Sequence, residues 1–223
     1  LLNLSQADAS FVGENAADRS GYSVSSAGDV DGDGPDALPI GATGNDDGGS
    51  SAGKTYLFLG SSITAGGSFD LSAADSSFVG ENGDEHSGYS VSSAGDVDGD
   101  GLGDLLIGAY NNDDGGSDAG KTYLVLGATI GAGGSFDLSA ADASFVGENE
   151  GDNSGGSVSS AGDVDGDGLD DLLIGADENN AAGGGAAGKT YLFLGSSIAA
   201  GGSFDLSLAD ASFVGENQNN YSG

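Results

Sequence analysis

One segment of about 67 residues recurs along the chain, and any fold must accommodate that repetition. DVDGDG begins at Asp29, Asp96 and Asp163, and GKTY at Gly53, Gly120 and Gly188. SFVGEN occurs four times, from Ser10, Ser77, Ser144 and Ser212. Near-identical units at such a period mean one supersecondary element stacked on copies of itself. Residues 203–223 repeat residues 1–21 in register, so the 223 residues hold three full units and about a third of a fourth. The third unit is one residue longer, between Asp177 and Gly188, where NNAAGGGAA replaces an acidic stretch. An insertion tolerated in a polar, glycine-rich stretch marks a surface loop.

Inside the unit the pattern reads as strands. In the second unit SFVG (77–80), GYSVSSAGDV (88–97), DLLIGA (104–109) and KTYLVLG (121–127) are short apolar or alternating runs. Each is bounded by Gly, Asn, Asp or Ser, the punctuation expected of strands. AGGSFDLSAADSS has room for one helical turn at most. The expected fold is all-β, with four-stranded antiparallel sheets arranged as β-propeller blades. On this reading 1–21 is a partial blade, 22–88 the first repeat and 89–155 the second; 156–223 is the third with the start of a further blade. Propellers need about four to eight blades to close. The segment is therefore expected to belong to a larger ring or to associate with copies of itself through its partial end blades.

The strongest chemical signal is the spacing D-x-D-x-D-G-x-x-D. It is filled by Asp96, Asp98, Asp100 and Asp104 in the second unit, and by Asp163, Asp165, Asp167 and Asp171 in the third. Carboxylates at positions 1, 3 and 5 of a tight loop converge, and Gly at position 6 allows the turn. Position 7 (Leu102, Leu169) offers a carbonyl, and position 9 closes the sphere. Such hard oxygen donors on a flexible loop suit Ca²⁺ better than Mg²⁺, about one ion per repeat. A helix–loop–helix calcium site would need Glu at position 12, where Ile40, Ile107 and Ile174 stand instead. The first unit has Asp29, Asp31 and Asp33, then Pro35, Asp36 and Ala37. Its ninth position carries no ligand and Asp36 comes one residue early, so a weakened first site is expected, Pro35 lending its carbonyl. Pro39 predicts an edge-like or distorted strand after it.

The stretch GYSVSSAGDVDGDGLGDLLIGA (88–109) resembles the FG-GAP repeat of integrin α-subunit β-propellers. The match runs through G-Y-S, the acidic loop and the Gly108–Ala109 pair, and it recurs in all three units. Tyr110 stands in place of the usual proline, and Gly156 in place of Tyr22 and Tyr89. The resemblance implies a calcium-stabilised propeller, usually seven-bladed, that serves adhesion or protein recognition outside the cell.

Composition narrows the functional classes. Thirty-six acidic residues face four basic ones, a net charge of −32, which opposes binding to nucleic acid or an anionic membrane surface. There is no cysteine, one histidine (His86) and one arginine (Arg19), so disulfides, thiolate metal sites and histidine-based catalysis drop out. No apolar run reaches the ~18 residues that span a bilayer. Lys54, Lys121 and Lys189 recur at one position and read as strand-edge lysines that block edge pairing or neutralise nearby acid. Tyr56, Tyr123 and Tyr191 read as packing residues. Asp46–Asp47 and Asp113–Asp114 read as solvated loop carboxylates, with a second cation site the alternative, and His86 as an incidental surface residue. The acids obey the repeat instead of breaking it, which is scaffold chemistry rather than catalysis. The expected function is a calcium-binding extracellular or cell-surface module for adhesion, recognition or structure, with an unknown protein or glycan ligand. The rival readings are a subunit of a fibre built by strand exchange and a propeller of a polysaccharide-degrading enzyme.

Overall fold

A computed structural model describes residues 7–180, 185–217 and 223; part of the third-unit insertion, at 181–184, lies outside them. The first unit runs through β2 (Ser20–Val24), β3 (Leu38–Ala42), β4 (Lys54–Phe58), β5 (Gly67–Asp70) and β6 (Ser76–Val79), preceded by β1 (Ala9–Val12). The second supplies β7 (Ser90–Gly95), β8 (Asp104–Ala109), β9 (Lys121–Val125), β10 (Gly134–Asp137) and β11 (Ala143–Val146). The third supplies β12 (Ser157–Gly162), β13 (Asp171–Ala176), β14 (Lys189–Phe193), β15 (Gly202–Asp205) and β16 (Ala211–Val214). Three four-residue helices, α1 (Gly60–Ile63), α2 (Gly127–Ile130) and α3 (Gly195–Ile198), follow β4, β9 and β14. No described helix is long and apolar enough to cross a membrane.

The strands form three four-stranded antiparallel sheets, β2-β3-β4-β6, β7-β8-β9-β11 and β12-β13-β14-β16. This is an all-β, propeller-like architecture. AGGSFDLSAADSS holds one 3-10 turn, within the single helical turn expected of it, and an unforeseen strand before that turn. GSFD forms β5, β10 and β15, and each pairs in parallel with the SFV strand of the preceding unit, as β1–β5, β6–β10 and β11–β15. GSFD holds one large apolar residue, so nothing local marks it as a strand; its partner lies 58 or 59 residues away. Asp137 then ends the strand by accepting the Ser139 N–H at 2.9 Å, as Asp70 does from Ser72. The helices leave no mark in the sequence because one turn is too short to show a 3.6-residue period.

Why DLLIGA reads as continuously apolar is now plain. β8 lies between the first and third sheets, and all six of its residues are buried. The core fills the spaces between units: Leu57, Phe78, Leu105 and Tyr123 in one cluster, Leu106, Phe145, Ile174 and Phe193 in the next. Phe145 packs against Phe193 at 4.8 Å and Phe204 at 5.5 Å, and Phe11 makes the same pair of contacts with Phe58 and Phe69. The approach is closest at the Gly-Ala pair. A Cβ on Gly108 would lie 2.0 Å from the Gly155 carbonyl oxygen, which already accepts the Ser90 hydroxyl at 2.8 Å.

Two expectations hold only in part. Pro39 does not sit on an edge strand, because β3 lies between β2 and β4. Its carbonyl accepts the Ser25 N–H from the β2 side at 3.4 Å, so its missing donor also faces β2. That is where the pairing shifts register, between Ser20 and Val24. The lysines do not guard an edge, since β4, β9 and β14 are interior strands, but they do neutralise nearby acid. Lys54 donates to Glu14 at 3.1 Å and Asp47 at 2.7 Å, Lys121 to Glu81 at 2.7 Å and Asp114 at 2.8 Å, and Lys189 to Glu148 at 2.6 Å. The glutamates come from the SFVGEN of the preceding repeat, so each lysine fastens two units together. Its ammonium also sits 4.5 to 5.0 Å from the ring of the buried tyrosine two residues on. Asp47 and Asp114 are therefore ion-paired, while Asp46 and Asp113 hold their loop by accepting the N–H of Ser51 and Asp118.

Gly108→Ala is expected to cost at least about 1–3 kcal/mol in urea denaturation, because the new methyl meets backbone and not a movable side chain. A second expectation concerns pH. The Lys189 ammonium holds the Glu148 carboxyl below its ordinary value, against a smaller opposing effect of burial. Stability from this pair is therefore complete above the ordinary carboxylate range and is lost as pH falls through the depressed value. Thermal melts should show Glu148→Gln less stable than the parent at neutral pH by at most about 1 kcal/mol, with the gap closing in strong acid. A gap independent of pH would contradict the assignment.

Candidate metal centre

The acidic segment is the hairpin loop between the first two strands of each sheet. In the second unit it leaves β7 after Gly95 and enters β8 at Asp104. Asp96 shapes it, accepting the Gly99 N–H at 2.7 Å through Oδ1 and the Gly101 N–H at 2.9 Å through Oδ2. Asp163 does the same for Gly166 and Gly168, and Asp29 for Gly32 and Gly34. The sixth-position glycines adopt φ of +88°, +94° and +102° (Gly101, Gly168, Gly34), a region that disfavours any side chain.

Three carboxylate triads result, each with oxygens within 4.8 Å of one another: Asp29, Asp31 and Asp33; Asp96, Asp98 and Asp104; Asp163, Asp165 and Asp171. Asp100 and Asp167 stand outside them. Their Oδ1 atoms accept the N–H of Leu102 and Leu169 at 2.8 and 2.9 Å, which fixes the backbone whose seventh-position carbonyl the sequence singled out. Asp36 turns away altogether, accepting the Ser26 hydroxyl at 3.0 Å. Pro35 is exposed and packs towards Gly60, whose Cβ would lie 2.5 Å from the proline ring.

The ninth position does more than close a sphere. Asp104 is fully buried, and its two oxygens accept the N–H of Val97 at 2.9 Å and of Gly127, the first residue of α2, at 2.8 Å. Asp171 makes the equivalent bonds to Val164 and to Gly195 of α3. One carboxylate thus ties loop, strand and helix together, and Ala37 cannot do so in the first unit. Burial pushes the Asp104 carboxyl up to about 7, with the charges of Asp98 and Asp100 adding and the two N–H bonds opposing. Asp31 and Asp165 are also raised, by desolvation and by their acidic neighbours.

No ion pair among the described residues reaches a loop carboxylate, since the lysines are engaged elsewhere. Like charges ~4 Å apart repel by about 4 kcal/mol per pair at an effective dielectric near 20. The donor set is oxygen only, anionic and on a loop already turned inward, which fits a hard divalent cation such as Ca²⁺.

Other functional-looking groups emerged only in three dimensions. Asp18, Glu85 and Asp152 are buried carboxylates that accept from Asn45, Asn112 and Asn179, each pair 27 residues apart. Their recurrence at one spacing was the available signal. Asp170 is another: its carboxylate accepts from the main chain of the neighbouring loop at Asp96. Tyr22, Tyr89 and Tyr110 stack in sequence at 4.9 and 4.2 Å, with the His86 ring 5.8 Å from Tyr110.

The FG-GAP repeat family model matches residues 87–125 and 154–193. Both segments contain a complete acidic loop and its flanking strands; the first unit, with Ala37 at position 9, lies outside them. No curated protein matches the chain.

Asp104→Ala leaves two buried N–H groups without an acceptor, and chemical denaturation without calcium should show a loss of roughly 2–5 kcal/mol. Asp100→Ala, at an exposed position, should cost less than about 1 kcal/mol in the same assay. Equal losses would show that position 9 has no structural role of its own.

Proposed function

Two of the three repeats match the FG-GAP repeat model, and from that match we propose that the chain is a calcium-stabilised β-propeller module of the extracellular space or cell surface. It recognises or adheres to a protein partner and carries out no catalysis. The observation that carries this reading is the set of three hairpin loops, each gathering three carboxylates with no basic side chain beside them.

Bound calcium supplies positive charge where the fold concentrates negative charge. Asp96, Asp98 and Asp104 would hold it in the second unit, Asp163, Asp165 and Asp171 in the third, and Asp29, Asp31 and Asp33 more weakly in the first. The loops keep their carboxylates turned inward through the glycine N–H groups that bind Asp29, Asp96 and Asp163. Asp104 and Asp171 transmit that order to α2 and α3. Because the folded loop binds the ion and the unfolded chain does not, calcium and folding are linked. That linkage suits millimolar external calcium, which is the support for an extracellular setting.

Further support comes from the open face of the third sheet, where Val164, Phe213 and Val214 are 55%, 59% and 45% exposed. The counterparts of Val164, Val30 and Val97, are buried against the following unit. Further blades seated on such faces would complete a ring of the usual size. A partner with a basic surface suits the net charge of −32.

Calorimetric melts in millimolar calcium and in chelator test the reading. Calcium at a hundredfold over Kd adds about 2.7 kcal/mol per site, so the melting temperature should rise clearly with calcium and less with magnesium. Identical melts in calcium and chelator would remove calcium from the function.

A further inference from the structure

We propose that the acidic loops of adjacent repeats bind calcium cooperatively, and that Asp170 in the third loop is a positioning residue for Asp96, the first ligand of the second. The inference rests on the calcium reading above and adds a property which that reading does not require.

The loops are joined to one another directly. Asp170 donates its N–H to the Asp96 carbonyl at 2.9 Å, and Asp96 donates its N–H to Asp170 Oδ2 at 2.8 Å. This reciprocal pair fixes the main chain on both sides of Asp96. The seat is built for it: a Cβ on Gly95 would lie 2.1 Å from Asp170 Oδ2, so the residue before Asp96 has no room for a side chain. Beside this pair, Leu169 covers the tip of the second loop, its Cδ2 lying 3.0 Å from where a Cβ on Gly99 would stand. Asp170 is outside the carboxylate triads, so its charge is spent on the neighbour's backbone and not on its own site.

The first and second loops meet in the same way with less. Gly103, the counterpart of Asp170, donates its N–H to the Asp29 carbonyl at 2.7 Å but has no carboxylate to offer in return. Leu102 reaches to 3.4 Å from a Cβ on Gly32. The coupling should therefore be strong between loops two and three and weaker between loops one and two.

The physical route is shared ordering. Fixing a residue's backbone costs conformational entropy. An ion in the third loop orders residues 163–171, including Leu169 and Asp170, and through them the Asp96 backbone. The second ion then finds its first ligand already placed, and linkage makes the benefit reciprocal. Charge alone predicts the opposite sign, because each bound cation lowers the negative potential felt by the next.

The test is a calcium titration of the whole chain followed residue by residue with amide NMR. Gly99 and Gly101 report on the second loop, Gly166 and Gly168 on the third. In the parent the two sets of curves should coincide and be steeper than a single-site isotherm. Asp170→Ala should separate and flatten them and raise the second-loop Kd about tenfold. Asp170→Asn, whose amide oxygen still accepts the Asp96 N–H, should keep the parental behaviour. Should Asp170→Ala not fold, the Asp163→Asn/Asp165→Asn double variant makes the same demand: the second loop must lose about tenfold in affinity when the third cannot bind. Independent single-site curves in the parent, or a second loop indifferent to both changes, would overturn the coupling while leaving calcium binding intact. If no loop amide responds to calcium in any of the proteins, the calcium reading itself falls and the coupling falls with it.

Discussion

Neighbouring sheets in this protein approach until backbone meets backbone, and the remaining features are arranged around that contact. Gly41 and Gly108 leave no space beyond their Cα atoms, because the carbonyl oxygens of Gly88 and Gly155 occupy it. Ser23 and Ser90 satisfy those same carbonyls at 2.6 and 2.8 Å. A strand held this closely on both faces must be apolar throughout, which is why Leu105, Leu106 and Ile107 follow one another without a polar break. Parallel pairing of GSFD with the preceding unit's SFV then laces each repeat to the one before it.

Charge is distributed with the same economy. Four basic residues serve a chain with 36 acidic ones, and three of the four are lysines, two of them buried, that fasten SFVGEN glutamates to the next repeat. Among the described residues no ion pair reaches the hairpin loops. Asp104 and Asp171 show how far this goes: buried and doubly hydrogen-bonded, they join the acidic loop to a helix start while remaining part of the carboxylate triad. A cation held there would compensate for an arrangement the fold imposes.

The repeats are similar without being equivalent, and the differences fall where mechanics would feel them. Ala37 removes the ninth carboxylate from the first loop, and Asp36 engages Ser26 in its own unit. Its counterpart Asp170 reaches across to the neighbouring loop. Gly103, between them in the series, makes the backbone contact alone. A row of otherwise identical loops is thus graded from one end to the other.

The repeat length, the β-strand runs and the turning of the acidic loops were legible in the sequence because each depends on residues near one another in the chain. Glycine at position 6, aspartate at position 1 and alternating or continuous apolar runs impose their geometry locally. What tertiary structure alone decided was everything that depends on a residue's partner in another unit. GSFD became a strand only by meeting SFV, and the lysines became inter-repeat clasps only by meeting glutamates 40 or 41 residues earlier. Pro39 settled inside a sheet because its missing N–H faces an already irregular pairing, which no local pattern shows. The same holds for Asp170, whose carboxylate finds its partner in the loop of the preceding unit. The physical reason is common to all four. Hydrogen-bond partners and burial are set by which surfaces stack, and stacking joins residues far too distant in sequence for propensity or periodicity to register.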